Sequence, residues 1–188
     1  ALPICGCKNF DYQRFWSHSL ITAIAIQALT TRTRVAPPEE TFILGLLSRI
    51  GCLALATLFP TEYDAVLERV KDGADLAEAE QAGFALDHNE LTAALLADWG
   101  IPKVLAEPIY HHENPDAAAF TEGSRAYVLL HSLRLSNYLA DLCVAPECER
   151  RQMLSNLFLL GTRLGIEARS EEHTSELQSR LHLVCRLL

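Results

Sequence analysis

Apolar residues recur at helical spacing along most of the chain, and no stretch of useful length alternates with a period of two. From Asp11 to about Arg32, Phe15, Trp16, Leu20, Ile21, Ile24 and Leu29 form a broad apolar face with no Gly or Pro. His18 shares a face with Phe15, Thr22 and Ala25. Pro37-Pro38 and then Glu39-Glu40 read as a helix start, because proline suits the first turn and acids suit its dipole. An almost unbroken apolar run follows, Thr41 to Leu58, which the pattern predicts as one buried helix. Ser48 and Arg49 interrupt it side by side, between Gly45 and Gly51. A buried charge is costly unless something pairs with it, so this stretch demands a polar cleft or a partner.

The remaining segments are shorter. Pro60 starts a helix ending near Gly73, with Tyr63, Val66, Leu67 and Val70 inward. Asp75 caps another that Gly83 closes. Asp87 with Glu90 three residues later resembles a capping box, and its helix runs to Trp99-Gly100. Pro102 starts a helix ending near His111-His112, and Asn114-Pro115 breaks it. Ser124 to about Cys143 is long and amphipathic. Pro146 starts the last helix, to Gly165. Eight helices with short loops and no fixed-period repeat predict an all-α fold, a compact multi-helix bundle.

Composition changes this picture little. The chain has 188 residues, with 49% hydrophobic and 21% charged, which suits one globular domain. A net charge of -8 argues against sequence-independent nucleic-acid binding. Thr41 to Leu58 approaches the length of a membrane span, but Arg49 at its centre favours a buried helix, so no membrane is expected as a partner. Cys5-x-Cys7 and Cys143-x4-Cys148 are weak metal or redox signals, and Cys52 reads as a small hydrophobe. No signal peptide is visible, and a reduced cytoplasmic setting is expected.

The histidines carry the candidate chemistry. His18, His88, His111, His112 and His131 lie on several helices, and imidazoles from different helices can converge in a bundle core. Their spacings alone match no local metal motif. Their order, however, resembles a family. Trp16-Ser17-His18-Ser19, Gly45-Leu46-Leu47-x-x-Ile50-Gly51, Asp87-His88-x-Glu90, Trp99-Gly100-Ile101-Pro102 and Ile109-x-His111-His112-Glu113-x-Pro115 resemble the HDOD domain. That is a bacterial all-helical signalling domain of the HD superfamily, related to the HD metal-dependent phosphohydrolases. The resemblance covers about Phe15 to Leu142. Further helices precede the Trp-x-His-Ser segment in that family, which implies a domain over 1–168 truncated on its N-terminal side.

The chain departs from the related enzymes at its most apolar point. The resemblance places their metal-binding His-Asp pair at Ser48-Arg49. Serine is a poor ligand, and a fixed cation repels a divalent ion. The family's late aspartate aligns with Asn137, with Asp141 one turn further on. A metal set would be reduced to His18, His88, His111 and His112, and no cofactor is expected. Arg49 either forms a structural ion pair, with Glu90 or Asp141, or takes the metal's electrostatic place and holds a small anionic ligand. The expectation is therefore a non-catalytic regulatory domain with a vestigial cleft, whose partners are other signalling domains or proteins. The alternative is a metal-dependent phosphohydrolase or phosphodiesterase with a histidine-only site.

Residues 169–188 stand apart. Arg169 to Ser179 resembles the translation of a sequencing-adapter oligonucleotide, so this segment is expected to be an artefact, not a domain. His173, His182 and Cys185 are accordingly left out of any site.

Overall fold

The computed structural model describes residues 6–146 together with Arg150 and Met153. Among them are eight α-helices and no strand: α1 Tyr12–Thr33, α2 Pro38–Leu47, α3 Ile50–Leu58, α4 Pro60–Lys71, α5 Leu76–Phe84, α6 His88–Asp98, α7 Lys103–His111 and α8 Arg125–Val144. A single 3-10 turn, Pro115–Ala117, follows α7. The all-α expectation holds. The helix predicted from Pro146 and the segment 169–188 lie outside the described residues, apart from Arg150 and Met153.

Local chemistry sets most helix ends. Asp11 accepts from the Arg14 amide, Asp75 from Glu78 and Ser124 from Tyr127. Asp87 and Glu90 form the complete capping box of α6. Proline opens α2 and α4 at their first turns. The predicted stop at Gly83 falls two residues short. Helix α5 continues to Phe84, and Ala85 takes the left-handed turn at φ 59°.

One expectation is corrected. The run from Thr41 to Leu58 is two helices, broken at Ser48-Arg49. Ser48 closes α2 with its amide and hydroxyl both directed at the Gly45 carbonyl, at 3.4 and 2.9 Å. Arg49, at φ -121° and ψ 24°, opens α3. Hydrophobic periodicity cannot see this break, because apolar residues run on through both helices. The physical cause is the two glycines. A Cβ on Gly45 would sit 2.7 Å from the Ala23 Cα of α1, and one on Gly51 would sit 2.2 Å from the His88 carbonyl oxygen of α6. Each glycine lets one helix pair cross at backbone distance, and the chain bends between the crossings.

Three apolar clusters result among the described residues, a small one around Ile21 and Ala140 between α1 and α8 and two larger ones. Ile26, Leu44, Leu96, Ile109, Leu129 and Leu133 join α1, α2, α6, α7 and α8. Leu55, Ala56, Tyr63, Val66 and Ala79 join α3, α4 and α5. Helices α2 and α3 belong to different cores, so Arg49 stands at the seam between them.

Candidate functional site

The seam holds a chain of buried polar groups. Helix α4 brings Tyr63, α5 brings Glu80, and α6 brings His88 through its capped first turn. Glu80 is wholly buried. Its Oε1 accepts from the Tyr63 hydroxyl at 2.7 Å, and its Oε2 accepts from the His88 amide at 2.8 Å and lies 2.6 Å from His88 Nδ1. His88 Nε2 faces Glu113 Oε1 at 3.2 Å, and Glu113 Oε2 accepts from the Asn89 side chain at 3.1 Å. Thus α4, α5, α6 and the residue after His112 are tied into one network.

Electrostatics fix the protons in it. Burial pushes the Tyr63 phenol up, and neighbouring Cys52 and Glu80 push it further, so it stays a donor. Burial opposes charge on His88, but Cys52, Glu113 and Glu80 outweigh it and raise His88 well above the usual imidazole range. His88 is therefore an imidazolium donating to both carboxylates. Burial also opposes charge on Glu113, yet His88, His112 and Arg49 hold it below the usual carboxylate range. His112 behaves oppositely. Its Nδ1 donates to the Ile109 carbonyl at 2.6 Å, and burial lowers it to about 4, so it is neutral.

These directions give a pH prediction. His112 titrates lower in the fold than in the unfolded chain, so its contribution is complete above about 6.5 and is lost as pH falls toward 4. His88 titrates higher in the fold, so its contribution is complete below about 6.5 and is lost as pH rises. Stability should peak near pH 6–7. Denaturant titrations should show a fall of roughly 3 kcal/mol from pH 6.5 to 4. His112→Gln should remove most of that acid-side slope, and an unchanged slope would refute the assignment.

Arg49 lies where α3 begins, on the wall of a cleft of about 410 Å³ between α1, α3, α4 and α8. Burial opposes its charge, but Cys52, Glu113 and Asp141 reverse the effect and raise it. The six ion pairs within 4.0 Å among the described residues do not include Arg49. Its carboxylate neighbours are thus Glu113 and Asp141 at longer range. Glu90, the other expected partner, is committed to the capping box. His18 lines the same cleft, with Nε2 3.1 Å from Asp141 Oδ1. The geometry is not that of a hydrogen bond, and Nε2 has no hydrogen-bond partner among the described residues.

Ser48 is buried but spends its hydroxyl on its own helix. Arg49→Ala should therefore destabilise the domain more than Ser48→Ala does. The expected gap is about 1–2 kcal/mol in a urea titration, and equal costs would show that Arg49 does not anchor the seam.

The expected histidine set converges only in part: His88 Nε2 and His112 Nε2 lie 3.2 and 3.9 Å from the same Glu113 oxygen, while His18 lies against Asp141. His111 packs edge-on between Tyr110 and Phe120, while His112 turns inward. His88 has both ring nitrogens engaged. Asn137 sits in the α1–α8 interface, accepting from Thr22 and donating to Leu133, whereas Asp141 reaches the cleft. Cys52, Glu80 and His88 place donor atoms within 4.8 Å of one another. Glu80 has both oxygens hydrogen-bonded there, and Arg49 stands beside Cys52. An ion would have to break those bonds next to a fixed cation. These residues do not fit an HD-type metal.

Several participants escaped the sequence reading: Glu80, Glu113, Cys52, Tyr63 and Asn89. Glu80 had a readable signal, since it falls on the stripe of Leu76, Ala79 and Gly83 and so points inward. The cysteine signals do not extend to this site. Cys7 is a buried thiol whose Sγ donates to Asp64 at 3.0 Å, and burial with Asp64 pushes it up to about 11. Cys5 and Cys148 lie outside the described residues.

The HDOD domain model matches residues 5–115. The chain belongs to the HDOD family. Its solved neighbours agree. The MmoQ response regulator from Methylococcus capsulatus str. Bath is 32% identical, with a TM-score of 0.72 over 91% of this chain and 63% of its own. A provisionally named phosphohydrolase from Shewanella amazonensis SB2B is 26% identical, with a TM-score of 0.69 over 94% and 61%. An HDOD domain protein of unknown function from Geobacter sulfurreducens shares the fold at 19% identity, with a TM-score of 0.73 over 96% and 63%. The chain spans less than two-thirds of each of these proteins. No curated protein matches.

Proposed function

We propose that this HDOD chain is a non-catalytic regulatory module of a bacterial cytoplasmic signalling protein, with a cleft organised by Arg49 in place of a metal. The observation that carries this reading is the seam itself. Where HD enzymes need open donors around a dication, this chain has a fixed guanidinium, a serine bonded to its own helix and an imidazolium with both nitrogens committed. Such a network resists rearrangement and suits a rigid domain that presents a surface to its neighbours. The naming of one similar protein, 32% identical, as a response regulator supports the same setting. On this reading the partners are other domains of the signalling protein, the module occupies 1–168, and 169–188 takes no part.

The rival reading, a phosphohydrolase, draws support from the name of one neighbour. Assaying the full chain on bis(p-nitrophenyl) phosphate with manganese, iron or zinc separates the two. The proposal expects no turnover above buffer. Turnover that disappears in His88→Gln would establish the enzyme instead.

A further inference from the structure

The cleft beside Arg49 has unused hydrogen-bonding capacity. Arg49 makes no ion pair within 4.0 Å among the described residues, and the side-chain hydrogen bond it has to Cys52 uses only part of its donor set. A guanidinium has five donors in a planar fork, a geometry suited to oxyanions. His18 is 5% exposed, and its buried Nε2 lies 3.1 Å from Asp141 Oδ1 without forming a hydrogen bond to it. A buried donor held in that way is open to a better-placed acceptor. Arg14 lies one turn before His18 on α1, exposed, and lines the same cleft. Three donor groups therefore border one space. Phe15, Tyr63 and Leu67 give the cleft its apolar walls.

We infer that this cleft binds a phosphate monoester carried on a small apolar or aromatic body. The inference rests on the proposed metal-free reading of the site. Three donors match the three terminal oxygens of a monoester, whereas a carboxylate offers two. The cleft volume of about 410 Å³ suits a small molecule. Asp11 and Asp141 also border the cleft. Asp11 is committed to the N-cap of α1, and Asp141 rests against His18 with its side chain 43% exposed. Asp141 is thus the group an incoming phosphate displaces toward solvent, and it weakens binding by competing for the same donors.

Calorimetric titration of the full chain in chelator-treated buffer tests this, with phenyl phosphate, inorganic phosphate and benzoate as probes. The expected result is one phenyl phosphate per chain, bound about tenfold more tightly than either other probe. Arg14→Gln should weaken it about tenfold without moving the unfolding midpoint, because Arg14 is exposed. Asp141→Asn should strengthen it, which a purely structural role for Asp141 would not do. Equal binding of benzoate, or binding indifferent to Arg14→Gln, overturns the inference. No binding with or without manganese overturns it and leaves the regulatory reading standing. Binding that requires manganese overturns both.

Discussion

Glu80→Ala is expected to cost about 3–5 kcal/mol of folding free energy, enough to leave the domain at the edge of stability. The carboxylate is wholly buried and accepts from the Tyr63 hydroxyl, the His88 amide and the His88 ring. Removing it leaves three donors unsatisfied, one of them on a buried imidazolium, and each must be desolvated without return. Tyr63→Phe sets the scale, since it strips Oε1 of its donor and leaves both His88 bonds on Oε2 intact. It should cost about 1–3 kcal/mol. Urea titrations of both variants at pH 7, followed by circular dichroism, give the comparison. If Glu80→Ala loses no more than Tyr63→Phe, Glu80 is not the keystone of the network.

Gly51→Ala should be nearly as severe, at about 3 kcal/mol. Its added Cβ would lie 2.2 Å from the His88 carbonyl oxygen and 2.8 Å from Thr92 Oγ1. The Gly51 amide donates to Thr92 Oγ1 at 2.9 Å, and that hydroxyl donates to the same His88 carbonyl at 2.6 Å. A methyl group here cannot be absorbed by a side-chain rotation, because the obstacle is helix backbone. Helices α3 and α6 must separate, carrying His88 away from Glu80 and Glu113. The variant should therefore both lose stability and shift the His88 imidazole resonances. Wild-type stability with unmoved resonances would mean that the two helices do not cross at this glycine.

The fold was legible in the sequence because helical signals are local. Asp87 with Glu90, Pro38, Pro60 and Ser124 each act within one turn, and the structure uses them as read. The break at Ser48-Arg49 was not legible as a break, since its cause lies in α1 and α6. Only the spatial neighbours Ala23 and His88 explain why Gly45 and Gly51 flank the polar pair. The site was legible in the same uneven way. Order and residue type pointed to His18, Arg49 and His88, because those fall in recognisable segments. Which of His111 and His112 turns inward depends on the last turn of α7, where the Ile109 carbonyl captures His112. Whether Asn137 or Asp141 meets His18 depends on how α8 lies along α1, and the extra turn favours Asp141. Glu113 lies inside the His111-His112-Glu113-x-Pro115 motif, yet its role appears only once His88 and Asn89 are seen to bond to it.

On the proposed reading, Arg49 fills the electrostatic place of a metal in this cleft. Elemental analysis of the full chain, purified without chelator, tests it most directly. The protein should carry no stoichiometric iron, manganese or zinc, and should take up none on dialysis against micromolar metal. One tightly held equivalent per chain, lost in His88→Gln, would contradict it.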